Sequence, residues 1–395
     1  MLHRLPPITA WSSALIAALV GFGGTVALVV QAMRTLGASV EQTGSAVTAL
    51  CLGIAITGAA MSLKLRMPIV LAWSTPGAAL LAATTPGLSW QIAAGVFVIS
   101  GLLMTILGLV PVLGRWAQRI PPSVASAMLA GVLLPFCLKL FEVGSIDPLL
   151  VALVVTVYLV ARQRVPLYAL LLVLVTGIVL TLVRGDITSL PPGASFGVLL
   201  PVIPTFDARA ALSLALPLFL VTLVSQNLPG LVVLRAAGYS PNPGPLLVGT
   251  GIASMIAAPF GAHAVNLAAI TAAICTSHEA HPDQAKRWTV GVIYAGFYLL
   301  LAVFASTLVR VFLALPPAVI MVLTGIALIP ALTSAIENML SEKSERDAAL
   351  VTFLATGSGL ILFGLGSAFW GLLAGFLALG VKALFARRAS KPQTT

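Results

Sequence analysis

The sequence is dominated by apolar runs that contain almost no charge. Of its 395 residues, 59% are hydrophobic and 8% are charged, whereas a soluble domain carries about 45–50% apolar and about 25% charged residues. Twenty-one basic and eleven acidic side chains cannot cover the surface of a water-soluble chain of this length. Intrinsic disorder is excluded because it needs the opposite balance. We therefore expect an all-α polytopic membrane protein.

Fourteen predicted spans divide the chain into two halves of seven, because a spanning helix needs about 20 mostly apolar residues. A polar, Pro-rich loop at residues 185–210 separates the two halves. The first apolar run is too long for a cleavable signal peptide and lacks its small-residue cleavage pattern. The predicted spans are residues 8–33, 44–63, 68–84, 90–113, 117–140, 147–161, 166–183, 211–234, 244–258, 262–277, 288–309, 316–337, 348–364 and 366–386.

The positions of Lys and Arg predict the orientation, since these residues concentrate in cytoplasmic loops. With both termini inside, sixteen of the twenty-one basic residues face the cytoplasm, and the other side receives only Arg34, Lys139, Arg184, Arg209 and Arg310. We expect a multi-pass protein of the inner (plasma) membrane with cytoplasmic termini. The net charge of +10 is then a topology signal, and the scattered basic residues predict no nucleic-acid partner.

The three cysteines each lie inside an apolar run, which is typical of small core residues and not of a disulfide framework or a Cys-based metal site. They are Cys51, Cys137 and Cys275. We expect neither a cofactor nor a metal. A homodimer stays open, because the sequence does not determine the oligomeric state.

Two short patterns recur seven spans apart. Ile120-Pro121-Pro122 opens one span and Leu315-Pro316-Pro317 opens another, while Gly53-Ile54-Ala55 in the second span matches Gly251-Ile252-Ala253 in the ninth. An odd number of crossings per half makes the halves face opposite ways, which is the inverted-repeat design of many secondary transporters. Chance recurrence in a low-diversity apolar chain is the alternative for either match alone.

The third predicted span is interrupted. Met67–Trp73 reads as an extended piece and is followed by Ser74, Thr75, Pro76 and Gly77. Thr75 is the expected N-cap of a helix whose first residue is Pro76, because a hydroxyl caps the helix and proline suits its first position. The alternative is that Pro76 merely kinks a packed helix.

The tenth predicted span has a break at the corresponding position of the second half. Pro259–Val265 precedes Asn266, which we expect to cap a helix over Leu267–Cys275. Both broken helices would begin near the bilayer centre and point their N–H groups and positive dipole ends at the same place. A kink at Pro259 is again the alternative.

The titratable residues favour an anionic ligand at this place. All eleven acids lie at predicted span ends or in loops, so two positive helix ends face no buried carboxylate. His263 is the one ionisable residue placed deep in the membrane, and an imidazole with an ordinary pKa near 6.5 can exchange protons at physiological pH. We expect His263 to couple protons or to contact the substrate. The alternative is a neutral histidine bonded to a backbone carbonyl.

Further candidate contacts come from three other places. Gln226 and Asn227 are adjacent amides in the eighth span, which are costly in lipid unless they face a cavity or an interhelical partner. Phe22 and Thr25 in the glycine-rich first span could wall a pocket, and Trp73 could stack on an aromatic ring. The complete expected substrate site is Phe22, Thr25, Trp73, Ser74, Thr75, Pro76, Gly77, Gln226, Asn227, His263, Asn266 and Leu267.

With these residues in place, the whole chain resembles the benzoate:proton symporter family. The resemblance lies in Pro68–Ala79, Ser225–Arg235, Pro259–Ile274 and the two Pro-Pro spans. That family is similar in architecture to the uracil and nucleobase–ascorbate permeases and to the sulfate permeases. Nucleobase permeases present acids to the base from the eighth and tenth spans, so Gln226-Asn227 and His263 argue against a nucleobase here.

The resemblance implies a core domain and a gate domain that slide against each other to alternate access. The core comprises residues 8–113 and 211–310, the gate comprises 114–184 and 311–386, and residues 387–395 form a cytoplasmic tail. It also implies proton-coupled symport of benzoate or a related aromatic carboxylate, held between the broken third and tenth helices.

Other functional classes remain as alternatives. An exchanger or uniporter of another organic or inorganic anion, a nucleobase permease, or an anion channel could use the same helix ends. An integral-membrane enzyme is disfavoured because HExxH, GxSxG and Asp-rich motifs are missing from the sequence. The expected partners are therefore an aromatic carboxylate, the proton and the lipid bilayer.

Overall fold

The computed structural model describes residues 6–84, 87–110 and 121–389, and its elements are helical apart from two three-residue strands. A composite helix, Ala208–Ala236, contains two π-helical turns. In chain order the elements are α1 Ile8–Gly23, α2 Val26–Thr35, α3 Val40–Leu65, β1 Leu71–Trp73, α4 Thr75–Ala82, α5 Trp90–Leu109, α6 Pro122–Glu142, α7 Pro148–Arg164, α8 Ala169–Arg184, α9 Ala208–Ala236, α10 Pro243–Ala257, β2 Val265–Leu267, α11 Ile270–Thr276, α12 Trp288–Leu313, α13 Pro317–Ser341, α14 Arg346–Gly357 and α15 Ser367–Ala389.

Ten helices in these described ranges are long and apolar enough to cross a membrane, if α1 and α2 are taken together. The third, sixth, tenth and thirteenth predicted spans instead contain shorter helices, α4, α7, α11 and α14. The start of the fifth predicted span, with Ile120, lies outside the described residues. The all-helical membrane class is confirmed, while the division into fourteen crossings stays a prediction.

The first predicted span is discontinuous, whereas the apolar pattern predicts one helix over residues 8–33. Helix α1 ends at Gly23 and α2 begins at Val26. Gly24 lies against α8, where a Cβ would sit 3.3 Å from the Leu170 side chain and 2.8 Å from the Val20 carbonyl oxygen. A larger residue cannot fit there without moving one of the two helices.

The helices pack in two sets. In one set α3 packs on α12 and α5 on α10, while in the other α6 packs on α13 and α14, and α14 packs on α15. The expected division into a core domain and a gate domain stays a prediction. The relative movement of the two sets is not tested by this packing and stays a prediction.

Strands β1 and β2 meet inside the first set and form an antiparallel pair, and their meeting point is called the crossing below. Leu71 is opposite Leu267, Ala72 is opposite Asn266, and Trp73 is opposite Val265. A further bond from the Ala268 amide to the Val70 carbonyl, at 3.0 Å, continues the pairing by one residue. The pairing satisfies backbone groups that have no helical partner, which is required of irregular backbone at membrane depth.

Candidate functional site

Helix α4 starts one residue earlier than expected. Ser74, and not Thr75, is the N-cap, because its hydroxyl accepts a hydrogen bond from the Gly77 amide at 3.0 Å. Thr75 is the first helical residue and Pro76 the second. The reason is geometric, since a capping side chain reaches the amide two or three residues ahead. Pro76 itself has no amide hydrogen, so Gly77 provides the nearest donor after it.

The glycine at this cap is required by close packing. A Cβ at position 77 would lie 2.7 Å from both the Ser74 hydroxyl and the Leu218 side chain. Gly77 therefore lets α9 approach the start of α4 and leaves Ser74 free to form the cap. A helix does start at this point, as the sequence predicts, but its N-cap is Ser74 and not Thr75.

The expected start of the tenth-span helix is wrong. Asn266 does not cap a helix but lies in β2, and α11 begins at Ile270 without a side-chain cap. Leu267 is likewise in the strand, opposite Leu71, and its amide donates to the Asn227 side-chain oxygen at 3.0 Å. These long-range bonds hold the chain extended for three residues longer than its local pattern predicts.

The Asn266 side chain lies within the molecule at the crossing. Its Nδ2 donates to the Leu267 carbonyl at 3.0 Å. Its side-chain oxygen is buried and, among the residues that the structure describes, has no hydrogen-bond partner. Asn266 is thus a polar group at the strand pair, although not in the helix-capping role that the sequence predicts.

His263 connects the two breaks directly. It is fully buried, and its Nε2 donates to the Ser74 carbonyl at 3.0 Å. The imidazole lies edge-on to Phe97, with ring centroids 6.4 Å apart. Its Nδ1 is buried and has no partner within the described part of the chain. The expected deep position of His263 agrees with this burial, and one ring nitrogen is left to accept a proton.

Helix α9 supports both breaks from a single face. Thr222 donates to the Ser74 hydroxyl at 3.0 Å, and Asn227 accepts the Leu267 amide. The helix is π-helical over Leu223–Asn227. Because π-helical bonds run from residue i to residue i+5, residues five apart lie close to one face. In a regular α-helix with 3.6 residues per turn, Thr222 and Asn227 would point in clearly different directions.

The eighth-span candidates therefore have different environments. Asn227 is fully buried, and its Nδ2 also contacts the Met104 sulfur at 3.5 Å. Gln226 is only partly buried. Asn227 thus bonds to protein atoms on both sides of its amide. Thr222 is an addition to the expected site residues, since nothing in the sequence signals a π-helical turn.

An aromatic cluster stands beside the cap of α4. Trp73 donates its ring N–H to the Thr25 hydroxyl at 2.8 Å. The ring of Trp73 meets Phe22 at a centroid distance of 5.3 Å and Tyr298 at 6.3 Å. The expected residues Phe22, Thr25 and Trp73 are thus together. Tyr298 is an addition from α12 whose periodicity alone resembles ordinary helix packing.

The region around the crossing has a positive helix end but no buried carboxylate. No Asp or Glu side chain is buried in the described ranges, which include all eleven acids. Helix α4 points its N-terminus toward the crossing, and the N-terminal end of a helix carries partial positive charge. The crossing therefore presents an unopposed positive helix end beside an imidazole.

A paired, buried backbone break inside a bundle of apolar membrane-crossing helices is the arrangement of a membrane transport protein. The family model described as benzoate membrane transport protein matches residues 5–381. The chain belongs to this benzoate membrane transport family.

Two curated relatives cover nearly the full length. The inner membrane protein YdcO of Escherichia coli (strain K12) is 40% identical over 389 residues, covering 98% of this chain and 99% of that protein. The benzoate membrane transport protein of Acinetobacter baylyi is 34% identical over 373 residues, covering 94% of each. Placement of this chain in a cell membrane agrees with these relatives.

A solved structure supports the fold. The transmembrane domain of a cyanobacterium bicarbonate transporter, BicA, superposes with a TM-score of 0.59 at 16% sequence identity, covering 92% of this chain and 97% of that one. At this identity the likeness speaks for the fold alone.

Proposed function

We propose that this protein is a secondary transporter that imports benzoate or a related aromatic carboxylate together with a proton. Family membership supports the transport class and the benzoate-like substrate. The observation that carries the mechanism is the buried His263, which bonds the Ser74 carbonyl through Nε2 and leaves Nδ1 without a described partner.

The tautomer of His263 gives a physical reason for coupling. A carbonyl oxygen can only accept, so Nε2 carries the hydrogen and Nδ1 is the proton acceptor in the neutral ring. A proton on Nδ1 turns this atom into a donor and makes the imidazole cationic. A carboxylate is then attracted to the imidazolium and to the N-terminus of α4, so that proton and anion bind together.

The ring of the substrate needs an apolar wall beside the carboxylate. Phe22 and Trp73 stand next to the cap of α4, and Trp73 is held in place by its bond to Thr25. Aromatic rings prefer edge-to-face or offset contacts with one another. In this proposal the benzoate ring contacts Phe22 and Trp73 while its carboxylate faces Ser74–Gly77 and His263.

In this proposal the chain makes fourteen crossings in two inverted halves of seven. The segments that contain the short helices α4, α7, α11 and α14 are the four further crossings in this proposal, beside the ten long helices. The proposed core is the set around α3, α5, α10 and α12, and the proposed gate is the set around α6, α13, α14 and α15. Both termini are cytoplasmic in this arrangement, consistent with the sixteen-to-five distribution of basic residues.

Uptake of radiolabelled benzoate into proteoliposomes with an imposed pH gradient tests the proposal. Substituted benzoates should compete, while uracil and sulfate should not. Accumulation should depend on the pH gradient and collapse when a protonophore removes it. If labelled benzoate exchanges but never accumulates, the protein is an anion exchanger and symport is excluded.

Two variants of His263 separate coupling from structure. His263→Gln keeps an N–H donor for the Ser74 carbonyl but cannot take up a proton, so it should retain exchange and lose gradient-driven accumulation. His263→Ala should lose accumulation as well and bind more weakly. His278→Ala, at an exposed loop position, is the matched control and should accumulate normally. Normal accumulation by His263→Gln would remove His263 from the coupling step.

A further inference from the structure

The segment between α8 and α9 contains no charged residue over positions 187–206. Half of these twenty residues are apolar, and the charges resume immediately outside, at Asp186 and Asp207. The four prolines make the stretch look like a polar surface loop. Its composition is instead that of a segment that avoids water.

The first part of this segment runs inward along α12. The Thr188 amide donates to the Ala314 carbonyl at 3.2 Å, and the Gly197 amide donates to the Val303 carbonyl at 2.7 Å. Between these points, Arg310 donates to the Pro191 carbonyl at 2.6 Å. At a rise of 1.5 Å per residue, the contact moves about 16 Å along α12.

The depth of Gly197 can be measured against two neighbouring helices. Its Cβ position lies 3.0 Å from the Thr48 side chain on α3. Thr48 is seven residues beyond Glu41, and Val303 is seven residues inward of Arg310, which is about 10 Å on each helix. Charged side chains avoid the hydrocarbon region, whose half-thickness is about 15 Å. Gly197 therefore lies at the depth of acyl chains.

The second part of the segment returns across the first helical set. The Leu200 amide donates to the Ser45 hydroxyl at 2.9 Å, the Val202 amide to the Pro259 carbonyl at 2.8 Å, and the Thr205 amide to the Gln91 carbonyl at 2.9 Å. These bonds supply partners for backbone groups that acyl chains cannot satisfy. All of them go to the helical set that contains the two breaks or to residues next to it.

Large apolar side chains of the same segment point away from the protein. Phe196 is 62% exposed, Ile203 is 86% exposed and Phe206 is 64% exposed. Exposure of these side chains to water would be costly, at about 25 cal/mol per Å² of apolar surface. Contact with acyl chains removes this cost, and the depth of Gly197 places that part of the segment among them.

We propose that residues 187–206 form a membrane-embedded strap whose exposed apolar side chains contact lipid acyl chains. The strap is bonded to α3, α5, α12 and the turn after α10.

Nitroxide labels on single cysteines test where the strap lies. Cysteines replace Phe196, Ile203 and, as a matched exposed control just outside the strap, Asp186, with Cys51, Cys137 and Cys275 changed to Ala. The full-length variants are reconstituted into phosphatidylethanolamine–phosphatidylglycerol liposomes. At positions 196 and 203, relaxation by oxygen should exceed relaxation by a water-soluble nickel chelate at least about fivefold, because oxygen concentrates in acyl chains. At position 186 the order should reverse.

Two results overturn the proposal. Relaxation dominated by the nickel chelate at positions 196 and 203 would place the strap in water. Strong dipolar coupling between labels of two copies at these positions would show that a second copy covers it. If the cysteine-free background does not fold, Phe196→Trp and Ile203→Trp in the unaltered background give a second readout. Brominated lipids should quench the added fluorescence, and unquenched emission would again reject lipid contact.

Discussion

Each broken segment contributes one strand to the β1–β2 pair, but the helices that follow the two strands begin in different ways. At the first break, Ser74 caps α4 through the Gly77 amide, and Pro76 follows within the first turn. At the second break, α11 starts at Ile270 with no side-chain cap. The first break is encoded by four consecutive residues, whereas the second depends on bonds from elsewhere in the fold.

The bonds at the second break come from three different segments of the chain. Asn227 on α9 accepts the Leu267 amide, and the Val70 carbonyl accepts the Ala268 amide. Ser254 on α10 accepts the Val265 amide at 2.9 Å. Because each bond comes from outside β2 and α11, β2 keeps its shape only while the surrounding segments stay packed.

One device is common to both breaks. Ser62 on α3 accepts the Ile69 amide and lies 3.1 Å from the Ile69 carbonyl, and Ser254 stands in the same relation to Val265 at 2.9 and 3.1 Å. In each case a serine on the preceding helix binds both backbone groups of one extended residue. We call Ser62 and Ser254 the serine clamps. Both breaks have one, so the breaks differ in how the next helix begins.

The largest effect should come from removing the Asn227 acceptor. Asn227→Leu leaves the buried Leu267 amide without a partner, which costs about 2 kcal/mol. Because the substrate must then restore the shape of β2 on binding, its affinity should fall by at most about 30-fold, the factor that corresponds to this energy. The measurement is equilibrium binding of labelled benzoate, with thermal unfolding in detergent as a readout that does not depend on the substrate.

The matched control for this change is Asn338→Leu. Asn338 is exposed on α13, and its amide contacts only Ser334 of the same helix among the described residues, at 3.4 Å. Both binding and unfolding temperature should match the parent protein. An Asn227→Leu variant that behaves like this control would show that β2 does not depend on α9.

The same comparison explains how far the sequence predicts the site. The start of α4 is visible because Ser74, Pro76 and Gly77 are adjacent in the chain, and only the choice between Ser74 and Thr75 is wrong. The start of α11 is misplaced because the acceptor for Leu267 is forty residues away, in a π-helical turn without a sequence signature. Apolar span positions are predictable for the same reason as α4, since length and hydropathy are local properties.

The second-largest effect should come from Gly77→Ala, which alters the first break, the one that neighbouring residues of the chain encode. The added methyl group would lie 2.7 Å from the Ser74 hydroxyl and from Leu218, and overpacking of this kind costs about 1–3 kcal/mol. Benzoate binding should weaken about tenfold, because the cap and the α9 contact cannot both persist. Gly296→Ala on α12, where a Cβ meets nothing within 4 Å, should bind like the parent; equal binding by Gly77→Ala would contradict the proposed role of this turn.

A smaller effect is expected from the serine clamps, and it should differ between the two breaks. Ser254→Ala removes the acceptor for the Val265 amide in the first residue of β2. Ser62→Ala removes one of two acceptors for the Ile69 amide, two residues before β1, since this amide also donates to the Met67 carbonyl at 2.8 Å. Each buried amide loses one partner, at about 1–2 kcal/mol. Benzoate binding should weaken more in Ser254→Ala than in Ser62→Ala, because the helix after β2 has no side-chain cap. Equal losses of binding in the two variants would show that the caps do not distinguish the breaks.

The smallest effect should come from Ser74→Ala, although Ser74 contacts more of the site than any residue changed above. Loss of an N-cap costs about 1 kcal/mol, and Pro76 still favours a helix start at this point. The His263 contact is to the Ser74 carbonyl and survives the change. Benzoate affinity should fall about fivefold, the factor that corresponds to this energy. A loss as large as that of Asn227→Leu would show that α4, like β2, is held by tertiary bonds, because Thr222 would then have lost an essential acceptor.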